Sequence, residues 1–497
     1  MAAGGNAVDA AIAANAVLGV VAPDMCGLGG DLFVLVHTPG LTAPAALNAS
    51  GRAGSGAIAA DLRDRGIDEV PLRSAWSVTV PGCVDGWEAL LERYGTMPLG
   101  DLLAPAIDLA SVGFSVSSEL ADSLRRIHPL IGGQGSAPSL YPGGVAPTAG
   151  TRLTRPRLAE TLRLLAAAGR ESFYGGRVGE EITVATDGVI TAADLERRNA
   201  QWVDPISVDV FGQRAWTLPP NSQGWLTLAA CWLFEQMDPP RDPEDPAFSQ
   251  AAIEAYRAVA WERDELVSDP DTAPLPADQL VDPNRLRSRL ESLSADSTAH
   301  WPAPKPAPGG TAYFCVQDGN GMGVSFIQSN FHGIGSGLSA GDTGVFLHNR
   351  GAGFNLISGH PNEMNPGRRP LHTLSPSLWT GGDQLRLLLG TRGGQYQPQL
   401  LVQVASQLLW AGVTGPQAQM LPRWIVDGWG PGQQPRLQVE SRMAPVVAAG
   451  LSRRGLDVHQ ADAWMPGWGP VSVIATDGTA TVGSADPRVS TASAISR

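Results

Sequence analysis

The chain has only four cysteines, and Cys26, Cys83, Cys231 and Cys315 are too far apart in sequence to form a CxxC pair. That spacing argues against a zinc knuckle and a disulfide framework, and leaves four buried, unpaired thiols as the expectation. Excess positive charge is also missing: 35 Lys and Arg stand against 48 Asp and Glu, a net charge of −13. Such a chain lacks a basic surface to follow phosphates or an anionic bilayer, so the expected partner is a small molecule, with no nucleic acid and no membrane. The apolar stretch from Ala10 to Pro23 is too short to span a bilayer. Residues 1–9 hold no Lys or Arg but do hold Asp9, unlike a secretory leader, so the cytoplasm is the expected compartment. His332, His348, His360 and His372 show no helical HxxxH spacing and no HExxH occurs. GxGxxG and GxxxxGK are absent as well, so no cofactor and no metal is expected.

What is abundant is glycine (59) and proline (40), the composition of a globular chain with many turns. Val8, Ile12, Ala16 and Gly19 fall at helical spacing and predict a packed first helix, followed by a glycine turn, CGLGGD, into a strand over Leu32 to His37. Several helices are expected from Trp87 to Ile127 and over residues 156–200, and another at FSQAAIEAYRAVAWERDEL. From Asp264 to Gly310 the chain is acidic and proline-rich without a clear apolar face. Beyond Thr311, the runs TAYFCVQ, MGVSFIQ, GVFLHN and QLRLLLG read as short strands, and QPQLLVQVASQLLWAG as a helix.

Two places suggest a nucleophile. GLSAG, Gly337 to Gly341, satisfies G-x-S-x-G, but glycine-rich HGIGSG precedes Ser339 where a nucleophile elbow needs a strand. The second is the border at Thr311. Every second residue from Pro302 to Pro308 is proline, Gly309 and Gly310 follow, and then a strand begins. A threonine hydroxyl is a poor nucleophile alone. If the chain is cut just before it, the new α-amine becomes a base on the same residue, and a mobile diglycine eases the cut.

GGNAVDAAIAA (Gly4 to Ala14), CGLGGDLFVLV (Cys26 to Val36), YGTMPL (Tyr94 to Leu99), RRPLHTLSP (Arg368 to Pro376), GTRGGQ (Gly390 to Gln395) and ADPR (Ala485 to Arg488) occur in one order. On these six matches the chain resembles the γ-glutamyltranspeptidases, N-terminal-nucleophile (Ntn) hydrolases made as one precursor and autocleaved into a large and a small subunit. The resemblance implies an α+β fold, a four-layer αββα sandwich with additional helices. It implies a large-subunit part, residues 1–310, whose 264–310 portion is the acidic connector, and a small-subunit part, residues 311–497, with the two fragments remaining associated. It further implies cleavage between Gly310 and Thr311, with Thr311 as nucleophile and Ser329 as a supporting hydroxyl. Gly393 and Gly394 would hold the oxyanion, and Arg52 the donor's α-carboxylate. The implied reaction passes an acyl group from a γ-glutamyl compound such as glutathione to water or an amine.

Departures from the family pattern keep two alternatives open. Where members bind glutamate's α-amine this chain has Phe331, Arg350 and Gly353, none of which accepts from an ammonium by its side chain. Paired serines are replaced by His372 and Thr373. SFIQSNFHGIGSG resembles a divergent branch that includes uncharacterised transferases and relatives of the cephalosporin acylases, whose acyl group is glutaryl. The alternatives are an acylase for desamino or natural-product amides, and an uncleaved homologue that only binds a ligand.

Overall fold

The computed structural model describes residues 1–306, 309–430 and 433–496. Its frame is two antiparallel sheets. In chain order their strands are β1 (Asp31–His37), β2 (Ala45–Ala49), β3 (Gln201–Val203), β4 (Ile206–Val210), β5 (Gln213–Thr217), β6 (Gly310–Gln317), β7 (Gly323–Phe331), β8 (Ser377–Gly381), β9 (Gln384–Thr391), β10 (Val471–Thr476) and β11 (Thr481–Ser484). The first sheet runs β3-β2-β1-β7-β6 and the second β11-β10-β9-β8-β5-β4.

Alternation along β1 shows how the layers form. Phe33 and Leu35 meet Tyr313, Ile327, Leu378 and Leu388 between the sheets, while Leu32, Val34 and Val36 join the helical side. Both faces of β1 are covered, so all seven residues are buried, and its centre, Leu32–Val36, reads as continuous apolar sequence. The longer helices that matter for the layers are α1 (Ala7–Val21), α2 (Cys83–Tyr94), α3 (Leu99–Val112), α4 (Pro156–Tyr174), α5 (Trp225–Gln236), α6 (Pro246–Ala260) and α7 (Gln397–Ala405). The first sheet is covered by α1, against β6 and β7, and by α2, against β1 and β2. The second is covered by α5 and α7, with α6 packed on both helices. This is the expected four-layer αββα sandwich of the Ntn hydrolases. A capping box starts α1: the Asn6 side chain accepts from the amides of Val8 and Asp9, and the Asp9 carboxylate takes the Asn6 N–H.

Several local expectations are corrected. GVFLHN is not a strand; it makes only an isolated bridge, Ser339 with Phe346. Ser339 Oγ donates to the Gly341 carbonyl at 2.7 Å within a loop, with no strand leading into it. The helix from Pro246 ends at Ala260, and Arg263–Leu266 forms a separate helical turn at the end of the expected run. The acidic stretch contains a helix at Pro283–Leu290 and short turns, and it buries Leu280, Val281 and Leu286. All four cysteines are unpaired, with Cys26, Cys83 and Cys231 buried and Cys315 half-buried. Among the described residues no helix is long and apolar enough to cross a membrane.

Candidate active site

The strands β6 and β7 are paired from Gln317↔Gly323 back to Gly310↔Phe331, with a shift between Gly310 and Ala312. At the shift Thr311 stands alone against Ser329 and Asn330, the local distortion that re-aims a side chain. Thr311 Oγ1 lies 3.4 Å from Ser329 Oγ and donates towards it. Ser329 Oγ in turn donates to the Gly310 carbonyl at 2.6 Å and accepts the Phe331 N–H at 2.8 Å. A hydroxyl has one proton, so the amide donor aims the Ser329 proton at the carbonyl of the Gly310–Thr311 bond. Thr311 and Ser329 are both buried. The diglycine is close-packed: a methyl on Gly309 would meet the Phe331 ring at 3.3 Å and the Gly394 α-carbon at 3.5 Å.

Arg350 is the other group on Ser329. Its Nη2 lies 3.4 Å from Ser329 Oγ, its Nη1 donates to Thr373 Oγ1 at 3.2 Å, and its guanidinium carbon sits 4.0 Å from the Phe331 ring centroid. Phe331 holds φ 72°, a left-handed conformation costly for a bulky side chain. Behind Arg350 is Asp31, the register partner of Ser329 on β1. Asp31 Oδ2 is 2.8 Å from His372 Nε2, 3.4 Å from His348 Nδ1 and 3.8 Å from Arg350 Nε, while Oδ1 accepts the Gly51 N–H at 2.9 Å. Burial works to raise the Asp31 carboxyl, but the two imidazoles around it hold it below the ordinary range. Burial, with the nearby Arg350 cation, pushes His372 down to about 3. Burial also lowers Arg350 to about 9, with Asp31 opposing the shift. At neutral pH the cluster is therefore one carboxylate, one guanidinium and a neutral His372.

The remaining expected residues are distributed unevenly. Gly393 and Gly394 form the turn after β9, both at positive φ, and a strand partner is recorded for neither amide among the described residues. Arg52 is buried and occupied: Nη1 is 3.3 Å from Asp269 Oδ2 and donates to the Gly367 carbonyl at 2.9 Å, and Nη2 donates to Gln201 at 3.2 Å. Arg369 shares Gln201 and Asp269 with it, through a side-chain and a backbone N–H. Gly353 packs against the Leu371 carbonyl in the turn that starts at Arg350. Sequence reasoning missed Asp31 and His348. The acid ending CGLGGD was read as part of a turn, and no local spacing links it to His348 or His372.

Three comparisons bear on this arrangement. The gamma-glutamyltranspeptidase family model matches residues 1–496. The chain is 34% identical to the glutathione hydrolase-like YwrD proenzyme of Bacillus subtilis, covering 98% of this chain and 93% of that protein. It is also 34% identical to the oxamate amidohydrolase proenzyme of Klebsiella pneumoniae, covering 92% and 87%. The crystal structure of cephalosporin acylase from Bacillus halodurans superposes with a TM-score of 0.90 at 32% identity, over 98% of this chain and 91% of that one.

Proposed function

Because the chain belongs to the gamma-glutamyltranspeptidase family, we propose that it is a self-cleaving amide hydrolase or acyltransferase with Thr311 as nucleophile. The observation that carries this reading is the Ser329 hydroxyl, 2.6 Å from the Gly310 carbonyl oxygen and 3.4 Å from Thr311 Oγ1. In the precursor, Thr311 Oγ attacks the Gly310 carbonyl carbon and passes its proton towards Ser329, which donates to the carbonyl oxygen. The Gly310–Thr311 C–N bond breaks as the ester forms, the proton passes to the departing nitrogen and frees the Thr311 α-amine, and water then opens the ester to leave a Gly310 carboxylate and the Thr311 hydroxyl. In turnover that amine takes the hydroxyl proton, Thr311 forms an acyl ester with the donor, and the proton goes to the departing nitrogen. Gly393 and Gly394 are the proposed oxyanion donors.

For the donor, the desamino reading is favoured over a γ-glutamyl compound such as glutathione. An ammonium beside Arg350, with the Phe331 ring packed on it and Gly353 in the same turn, would meet a like charge and no acceptor from these three side chains. A relative named for oxamate, an amide acid without an amine, supports the same choice.

Denaturing electrophoresis with N-terminal sequencing tests the reading. The expected outcome is two fragments, the second beginning TAYFCVQ, with Thr311→Ala remaining one band and Ser329→Ala cleaving at least tenfold more slowly. A single intact band after prolonged incubation of the unsubstituted chain would instead favour a homologue that only binds its ligand.

A further inference from the structure

Arg350 is fully buried yet poorly satisfied. Its two protein acceptors are hydroxyls at 3.2 and 3.4 Å, Asp31 is at 3.8 Å, and its buried Nε has no hydrogen-bond partner. A guanidinium carries five donors, and leaving them unmade in the interior is costly. Of the acceptors it does have, Ser329 is the hydroxyl beside Thr311, and Thr373 shares Gln223 with Gly394. Arg52 shares the unpartnered Nε, but its two Nη atoms are engaged by Asp269, Gln201 and the Gly367 carbonyl. The Gly309 backbone lies against the Phe331 ring that Arg350 covers, so release of the diglycine opens space on this side of Thr311.

We propose that Arg350 reads the donor's carboxylate, and that this carboxylate is attached directly to the scissile carbonyl. The substrate class is then the half-amide of an oxalic-type dicarboxylic acid. The inference rests on Thr311 being the nucleophile, as proposed above, and deepens it by setting the donor's length. Arg350 is one hydroxyl removed from Thr311 Oγ1, so a carboxylate next to the attacked carbon reaches it. Three intervening methylenes, as in a glutaryl donor, carry the carboxylate about 3.5 Å further away, the span of three extended backbone bonds.

In this reaction Thr311 Oγ bonds to the carbonyl carbon, the C–N bond breaks, and the hydroxyl proton leaves with the amine through the Thr311 α-amine. Water then opens the ester. One water proton returns to Thr311 Oγ, the other ends on the released amine, and the dicarboxylate departs. Arg350 stays protonated throughout and forms a two-point contact with the donor carboxylate.

The test compares cleaved protein on a ladder of anilides, oxalyl, malonyl, succinyl and glutaryl, with neutral acetanilide and γ-glutamyl anilide alongside. Rates are normalised to the cleaved fraction of each preparation. The expected kcat/KM is highest for oxalyl anilide and falls along the ladder. Arg350→Gln should lose about 10- to 100-fold on oxalyl anilide, mainly through KM, and change little on acetanilide. Arg350→Lys should fall between. Oxalate should raise the melting temperature of the unsubstituted cleaved protein more than glutarate does, and should leave Arg350→Gln unmoved. A glutaryl optimum, equal losses on charged and neutral donors, or an oxalate shift that survives in Arg350→Gln would overturn the assignment while leaving Thr311 as nucleophile. Failure of self-cleavage and of every anilide would count against the nucleophile itself. The oxalate shift would still decide the role of Arg350 in that case.

Discussion

At the scale of single residues, burial sets two titrating groups against each other. His372 is held neutral down to about 3, by burial and by Arg350, against 6.5 for a free imidazole. As pH falls below 6.5 the unfolded chain takes up a proton that folded His372 refuses, so stability falls by about 1.4 kcal/mol per pH unit for this group. Asp24 acts in the opposite sense: burial raises its carboxyl from 3.8 to about 6, with a Ser123 hydrogen bond opposing. Folded Asp24 binds its proton first on acidification, so between pH 6 and 4 it adds stability as pH falls. Urea unfolding of the uncleavable Thr311→Ala chain from pH 7 to 4.5 measures both. Adding His372→Gln should flatten the acid-side loss by about one proton per chain. Adding Asp24→Asn should steepen it and raise stability at neutral pH. A steeper loss with His372→Gln would contradict the first assignment, and a flatter one with Asp24→Asn the second.

Among the elements, the contact between β9 and β6 governs how Thr311 is held. A methyl on Gly390 would meet the Tyr313 ring at 2.1 Å, and Tyr313 is two residues beyond Thr311 on β6, its hydroxyl 2.9 Å from Ser325 on β7. The glycine in GTRGGQ is therefore a packing requirement of the facing sheet as well as a prelude to the Gly393–Gly394 turn. Gly390→Ala should destabilise by about 1–3 kcal/mol through overpacking and slow cleavage at Gly310–Thr311. A variant with unchanged stability and cleavage would show that the sheets tolerate a spread there. The element also explains Ser329 and Asp31: register partners on β7 and β1, they stand side by side although 298 positions separate them in the chain (329 − 31).

For the whole molecule, the strand order predicts what cleavage does. In the first sheet β1, β2 and β3 come from before the Gly310–Thr311 bond, and β7 and all of β6 but Gly310 from after it. In the second, β4 and β5 precede the bond and β8 to β11 follow it. Each sheet thus has a ladder joining the two fragments, β1 with β7 and β5 with β8, and the apolar layer between the sheets draws on both. The fragments of cleaved protein should co-migrate in native size-exclusion chromatography at any ionic strength, because apolar burial is not screened by salt, and part only in denaturant. Separation in concentrated salt alone would show that ion pairs, and not the shared sheets, hold them.

The linear chain by itself determined the acidic character of the protein, its first helix, the border at Thr311 and the two strands that follow it. These are read from composition, local periodicity and a proline–glycine run, all properties of neighbouring residues. The sixfold motif resemblance extended that to the sandwich and the candidate nucleophile. Only the tertiary structure decided which charges meet. Arg52 finds Asp269 217 positions away, and Asp31 finds His372 341 positions away. No periodicity encodes such pairs, because they are set by strand register and sheet packing. GVFLHN failed as a strand for the same reason: its apolar residues are buried in a loop against the helical side, and burial alone does not select extended pairing. Arg350 was legible as an arginine where an amine-binding residue was expected. That it is buried, short of acceptors and one hydroxyl from Thr311 follows only from the folding of β7 and the Arg350–Gly353 turn against each other.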